Sequence, residues 1–470
     1  MGPTVTSAAA TLTAAGTVRE TRKLVRQDSL PWSLFVFLFA LSCLGNVYPV
    51  AIFTVVLLGL IFLVRMASGA RLHKLGWLML CLFAYSVFSA WVAGITLPNF
   101  LEYDFWRYDA KFIFSYLPFL AALVLRHSER HLRLVSFVWI VGSALVVLLA
   151  LWEFHYYPEA SLLPERRLIR ITSWGMPVFE GLFLSHTATG GLYALALIAS
   201  VSLSRGAANR WPYYVLAVLL GVGLVLTLSR AFAVATMLAL FLQTTFERRW
   251  RFIAGSVVVV MLLLATIGTN LLDRLTLAGR DPTAALNVQV RLSSWRRGWE
   301  YFRISPLLGI GFTRFDDSPD VFVGMKGFVA VKHPTGTLQV ADVFGVEERA
   351  MAHNAYLQLL AETGILGLGL WLVFWAGVLS RLYHRRQAMP SGSFLHGWLS
   401  FCLTGSTAVL LASFFGLNFL SPATMVPLGW SLGAALSPYG IVGRTTYPGR
   451  GARLSRARKT RARLEPAVVS

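Results

Sequence analysis

Carboxylates are scarce in this chain. Its 470 residues carry 22 Asp and Glu against 42 Lys and Arg, and charged residues of both signs make up only 14%. With 56% hydrophobic residues and a mean hydropathy of +0.62, the chain has too little polar cover to hide its apolar surface from water. That excludes an ordinary soluble domain and points to a polytopic membrane protein. Cysteine is also rare. Cys43, Cys81 and Cys402 all lie in apolar runs and none belongs to a CxxC pair. A disulfide framework and a thiolate metal site are thereby excluded. GxSxG, HExxH and Walker motifs are absent. "PLLGIGFTRF" has Gly309 and Gly311 but no GxGxxG, which argues against nucleotide binding. The carboxylates Glu102 and Asp104, then Asp316, Asp317 and Asp320, have no spacing that demands Mg²⁺ or Mn²⁺, so neither metal nor cofactor is expected.

What is abundant is apolar runs of membrane length. A bilayer core takes about 20 apolar residues per helix. Spans are expected near 31–45, 48–65, 75–95, 112–126, 133–152, 186–204, 212–228, 231–246, 252–270, 360–380, 395–416 and 424–440. The stretch 212–246 is too long to cross once, at about 1.5 Å per residue, and is split at "TLSRAF" with Arg230 in the turn. The positive-inside rule supports about twelve spans with both ends inside. Arg65, Arg71 and Lys74, Arg126, Arg130 and Arg133, Arg205 and Arg210, Arg248, Arg249 and Arg251, and Arg381, Arg385 and Arg386 then all fall on the cytoplasmic side. The tail "RLSRARKTRAR" reads as a contact with anionic membrane lipids rather than with nucleic acid. The predicted fold class is an all-α polytopic membrane protein with one large outer loop, 271–352.

Three outward groups of residues carry candidate chemistry. The first is "MAHNAYLQLLAETGILGLGL". Wound as a continuous helix, it puts Gly364 and Gly367 on the face of His353, turning the histidine toward protein, with Glu362 opposite and near the membrane surface. Alternatively, His353 and Asn354 simply start or cap the helix. The second is "NVQVRLSSWRRGWEYFR", an amphipathic interfacial helix with Arg291 on the face of Trp295, Trp299 and Phe302. Arg291 either grips a phosphate or snorkels and pairs with Glu300 or Asp316. The third is Arg230, an ionisable group at membrane depth that either binds an anion or snorkels outward. "PERRLIR" adds Arg166, Arg167 and Arg170 on the outer face, explained by an anionic partner or by a solvated loop.

His353-Asn354, nine residues, Gly364, two residues, Gly367 resembles the pattern H-[NSQ]-x9-G-x2-[GTY] of bacterial O-antigen ligases and the wider superfamily of O-antigen polymerases and O-oligosaccharyltransferases. "TLSRAF" and "RLSSW…SPLLGIG" resemble the family's other recurrent stretches. The resemblance covers roughly 190–375. It implies a C-type glycosyltransferase architecture with no metal. The implied donor is a polysaccharide on undecaprenyl pyrophosphate and the acceptor lipid A-core, at the periplasmic face of the bacterial inner membrane. It makes His353 the general base or acceptor-orienting group and gives the leaving pyrophosphate to Arg230 and Arg291. Arg170, Arg166, Arg167, Asn354, Trp295 and Trp299 are then substrate-binding candidates, with Gly364 and Gly367 structural.

The expected organisation is a cytoplasmic arm (1–30), transmembrane helices 1–9 (31–270), a periplasmic loop with an interfacial helix (271–352), transmembrane helices 10–12 (353–440) and a basic cytoplasmic tail (441–470). A polymerase is the nearest rival function. Polymerases carry R-x10-G in two outer loops; here Arg170 to Gly181 fits once, with no second match in 271–352. A protein O-oligosaccharyltransferase shares the histidine pattern but usually has a larger C-terminal portion. A twelve-span transporter is a different class, disfavoured by the single large outer loop and the lack of internal repeats.

Overall fold

The computed structural model describes residues 48–96, 109–156, 169–171, 177–179, 185–246, 282–312, 314–315, 328–332, 338–342, 352–416, 418–439 and 441–442. The arm 1–30, the expected spans 31–45 and 252–270, Arg166, Arg167, the acidic groups at 102–104 and 316–320, and the tail beyond 442 lie outside these residues.

Each of the other expected spans falls on a helix. They are α1 (Tyr48–Ala67), α2 (Lys74–Thr96), α3 (Asp109–Val124), α4 (Glu129–Tyr156), α5 (His186–Leu203), α6 (Trp211–Leu226), α7 (Arg230–Phe246), α9 (Ala355–Gln387), α10 (Phe394–Ala412) and α11 (Pro422–Leu436). The interfacial segment forms α8 (Pro282–Ile304). Five of these helices are long and apolar enough to cross a membrane, namely α2, α4, α5, α9 and α10, and shorter apolar helices accompany them. Three two-stranded ladders occur among the described residues. They pair β1 (His127–Ser128) with β6 (Ile441–Val442), β2 (Ile169–Ile171) with β3 (Pro177–Phe179), and β4 (Phe328–Lys332) with β5 (Leu338–Asp342).

Local chemistry explains the helix ends. Ser185 and Ser393 are N-caps whose side chains accept from Ala188 N and His396 N, offsetting amides that have no partner inside the helix. Pro212 and Pro422 stand in first turns, where the missing N–H costs nothing. Centrally placed α5 is buried on nearly every face and packs against α4, α6, α7, α10 and α11, as expected of a helix apolar all round. Helix α11 lies along α3, and a Cβ on Gly433 would sit 2.3 Å from Phe119 O, so only glycine permits that approach. Trp398, Trp430 and Phe401 fill the space between α10 and α11, with Trp398 and Trp430 edge-to-face at 6.0 Å. Apolar side chains of α1, α2, α4, α6, α7 and α9, including Leu63, Trp91, Leu148, Val218, Val234 and Val373, are exposed around the bundle. In water such a girdle would drive aggregation; against hydrocarbon it is neutral.

The end of α9 at Gln387 closes conventionally. Arg385 donates to Ala435 O and Ser437 O, the terminal carbonyls of α11, where a cation also suits the helix dipole. Ser437 Oγ donates to Leu125 O, and Tyr439 Oη accepts from Arg71 N. The site lies at the other end.

Candidate active site

Asn354 begins α9. Its backbone is extended and its side-chain oxygen accepts from Tyr356 N and Leu357 N, both at 3.1 Å. Capping is thus the observed role of Asn354. His353 precedes the cap, half-buried, with φ of 50°. Such a left-handed conformation costs a non-glycine residue about 1–3 kcal/mol and persists only where surroundings enforce it. This corrects the continuous-helix expectation. His353 stands outside the helix, so helical spacing does not set the direction of its side chain. The surroundings are close. Ala355 N donates to Ser413 O at 2.9 Å, Tyr356 Oη donates to Leu410 O, and the Tyr356 ring packs on Phe414 and Phe419.

Farther along, α9 breaks at Gly364 (φ 63°, ψ −170°). A break inside a membrane helix exposes polar backbone to hydrocarbon unless protein supplies partners. Here the loop following α8 supplies them. Ile310 N donates to Ala361 O, Gly311 N to Glu362 O, and Ile365 N donates to Pro306 O. From α2, Tyr85 Oη donates to Thr363 O at 2.7 Å and Ser89 Oγ to Leu308 O at 2.6 Å. The two backbones meet at glycine. A Cβ on Gly364 would lie 2.2 Å from Leu307 O, and one on Gly309 2.2 Å from Glu362 O. At Gly367 the added atom would instead meet side chains, those of Thr363 and Tyr85.

Glu362 is fully buried within the protein and does not face away from it. Its Oε1 accepts from Phe315 N at 3.2 Å and from Gln358 Nε2 at 2.9 Å. Arg314 is buried beside Gly94 and Gly311. Sequence reasoning missed Gln358 and Arg314 and misplaced Glu362. The available signal was a Gln–Glu pair at helical spacing within an apolar run, because polar groups at membrane depth need partners.

Helix α8 packs on α9 with Gly298 against Leu357, and its buried Tyr301 is edge-to-face with Phe315 of the following loop. Its apolar outer side, Leu292 and Trp299, is exposed, and Trp295 is half-buried. Arg291 is exposed at the boundary, while Glu300 pairs with Arg296 at 3.2 Å.

Arg230 is the first residue of α7 and exposed, after a tight turn in which Leu228 has φ of 52° and Thr227 Oγ1 accepts from Ser229 N. That turn sits at the His353 end. Gly190 of α5 packs on Ser229, and Gly191 on Thr424. Thr424 Oγ1 hydrogen-bonds Asn418 O, Ser413 Oγ accepts from Phe419 N, and Ser413 O holds Ala355 N. Arg170 pairs through its strand with Val178, and neighbouring Phe179 packs with Leu226 at the same turn. The structure therefore gathers the backbones of Arg170, Arg230 and His353 at one end, with α8 against the His353 helix. A wholly apolar open groove of about 480 Å³ lies beside α2, lined by Phe83, Ala84, Val87, Phe88, Trp91 and Ile113.

These features define a helical membrane protein with its polar site at one end of the bundle, on a broken helix and the loop plugged into the break. Residues 215–372, from α6 through the Arg230 turn, α8 and the first half of α9, match a family model described as O-Antigen ligase. The match covers about a third of the 470 residues and is a likeness of that stretch to the family. No curated protein matches the chain.

Proposed function

We propose that this protein is an O-antigen ligase, transferring polysaccharide from undecaprenyl pyrophosphate to a sugar hydroxyl of lipid A-core at the periplasmic face of the inner membrane. The observation that carries the reading is that two tight left-handed turns of the matched segment, one at His353 and the other leading into Arg230, stand at the same end of the bundle. The acceptor hydroxyl loses its proton to the His353 imidazole, a base suited to neutral pH. The resulting oxygen attacks the anomeric carbon from the side opposite the diphosphate. The carbon–oxygen bond to the diphosphate breaks and its electrons leave with that group, so the anomeric configuration inverts. Arg230 and Arg291, both exposed and charged, receive the diphosphate as its negative charge grows. Lysine would not replace them, because it lacks the planar two-pronged donor geometry. Arg170, Arg166 and Arg167 extend the cationic surface for the donor, and Trp295 and Trp299 rest at the headgroup level. The apolar groove beside α2 is a surface on which a hydrocarbon chain can lie. Reaction needs no metal in this reading, since the donor is already activated.

The test is reconstitution. Purified protein in vesicles with lipid-linked polysaccharide and lipid A-core should form a joined product, in EDTA as well as without it. Growth of the lipid-linked chain alone, with no product on lipid A-core, would replace the ligase by the polymerase.

A further inference from the structure

We propose that Gln358 and Glu362 are positioning residues for His353, an inference that rests on the ligase reading for what the imidazole does. His353 stands in a strained conformation one residue before the N-cap. The cap bonds made by Asn354 act on the helix side of it, through Tyr356 N and Leu357 N. On the other side the chain enters from Ala352, which is fully buried. Ala352 N donates to Gln358 Oε1 at 3.4 Å, and Gln358 Nε2 donates in turn to Glu362 Oε1 at 2.9 Å. The same carboxylate oxygen accepts from Phe315 N, at the end of the loop that plugs the helix break.

A relay of buried hydrogen bonds thus runs from the plugging loop, through two side chains one helical turn apart, to the amide preceding His353. Neither side chain reaches solvent in a way that would let it contact substrate: Gln358 is 4% exposed and Glu362 is 0% exposed. Their chemistry is complementary. The amide of Gln358 accepts from Ala352 N and donates to Glu362 Oε1, which also accepts from Phe315 N. Inside protein such bonds are strong and directional, and a broken relay leaves unsatisfied groups that move. Glu362 also supplies the carbonyl that receives Gly311 N, so the helix break and the histidine turn share one support.

The test compares wild type with three variants. Gln358→Met keeps volume and removes both bonds. Gln358→Asn is one methylene too short to bridge. The third is a double exchange, Gln358→Glu combined with Glu362→Gln. In the exchanged pair the amide, moved one turn along the helix, accepts from Phe315 N and donates to the transplanted carboxylate. That carboxylate accepts from Ala352 N, so each bond of the relay again has a donor and an acceptor. Two quantities are read on protein that remains folded in vesicles. One is kcat and KM for transfer. The other, needing no substrate, is the rate at which diethyl pyrocarbonate modifies His353, resolved by mass spectrometry with the other histidines as references. Gln358→Met should lower kcat roughly 10- to 100-fold, as a displaced catalytic group does, with KM little changed. It should also speed modification of His353, and the exchange should reverse both. Glu129→Gln, in an ion pair at the far end of the bundle, should change neither. Should Gln358→Met not fold, Gln358→Asn is read by the same criteria. A folded single variant that leaves either kcat or the His353 modification rate at the wild-type value overturns the proposal. If wild type itself forms no joined product, the ligase reading fails, and the modification rate alone decides whether the relay positions the turn.

Discussion

Between Ala355 and Thr363, the buried face of α9 includes Gln358, Glu362 and Thr363; between Ile365 and Gln387 it is Gly367, Trp371, Phe374, Trp375, Val378 and Leu382 until Arg386. One segment carries polar side chains, starts from a strained turn and ends in a break. The other is a regular helix whose only buried charge, at its far end, bonds Ser400 Oγ. The difference follows from what lies alongside. The first segment faces a loop with backbone donors and acceptors to offer, and the second faces packed aliphatic and aromatic side chains. Polar irregularity at membrane depth is stable only where another polar backbone meets it. Polar groups in the first segment are held by that meeting of backbones, away from the helix's basic end.

The comparison can be broken at its active end first. His353→Ala should lower the transfer rate by 10²–10⁴-fold, about 3–5 kcal/mol of barrier, with the protein still folded. Losing only a helix-start residue would cost about 1 kcal/mol of stability and leave turnover intact. Turnover of the well-expressed variant in vesicles distinguishes the two. At the junction, Gly364→Ala forces a Cβ to within 2.2 Å of Leu307 O at a φ that alanine disfavours. It should destabilise by roughly 3–4 kcal/mol. Gly369→Ala, in the regular segment and meeting nothing within 4 Å, should cost nothing. Thermal denaturation in detergent measures both, and equal melting temperatures would erase the distinction between the segments.

The opposite end supplies a pH test. His127 is buried between α3 and α4, its Nε2 donating to Ala122 O at 2.7 Å. Desolvation holds its pKa down to about 4; the bond to Ala122 opposes this shift and His131 adds to it. The unfolded chain takes up this proton near the ordinary 6.5, the folded chain only near 4. Stability from the neutral imidazole is therefore complete above pH 6.5 and is lost as pH falls toward 4, by about 3 kcal/mol. His127→Gln should flatten that stretch of the melting curve against pH. The smallest effect belongs to the exposed Arg133–Glu129 pair at 2.6 Å. Glu129→Gln should shift stability by only about 0.3–0.5 kcal/mol, a change in melting temperature near the limit of detection.

Much of this was legible in the sequence. Apolar runs fell on helices because membrane burial is set by composition over some 20 residues, which needs no partner to read. "TLSRAF" divided 212–246 as expected, since a single helix of that length exceeds the bilayer. Asn354 could be read as a cap from its residue type, and the His353–Gly367 spacing pointed to the family. The placement of Glu362 failed for one reason: spacing assumes an unbroken helix. A left-handed His353 and a break at Gly364 reset the geometry on either side, and neither is a property of local sequence.

By itself, then, the sequence determined a helical membrane protein, the approximate course of the helices described and which residues are candidates to grip an anion or take a proton. Those follow from hydrophobicity, charge and side-chain chemistry, which each residue carries wherever it is placed. Only the tertiary structure decided that the loop after α8 plugs the break in α9, that Gln358 and Glu362 connect this plug to the histidine turn, and that the Arg230 turn stands at the same end. Those depend on backbone hydrogen bonds between segments far apart in the chain, and such bonds form from groups every residue shares, so no residue type announces them.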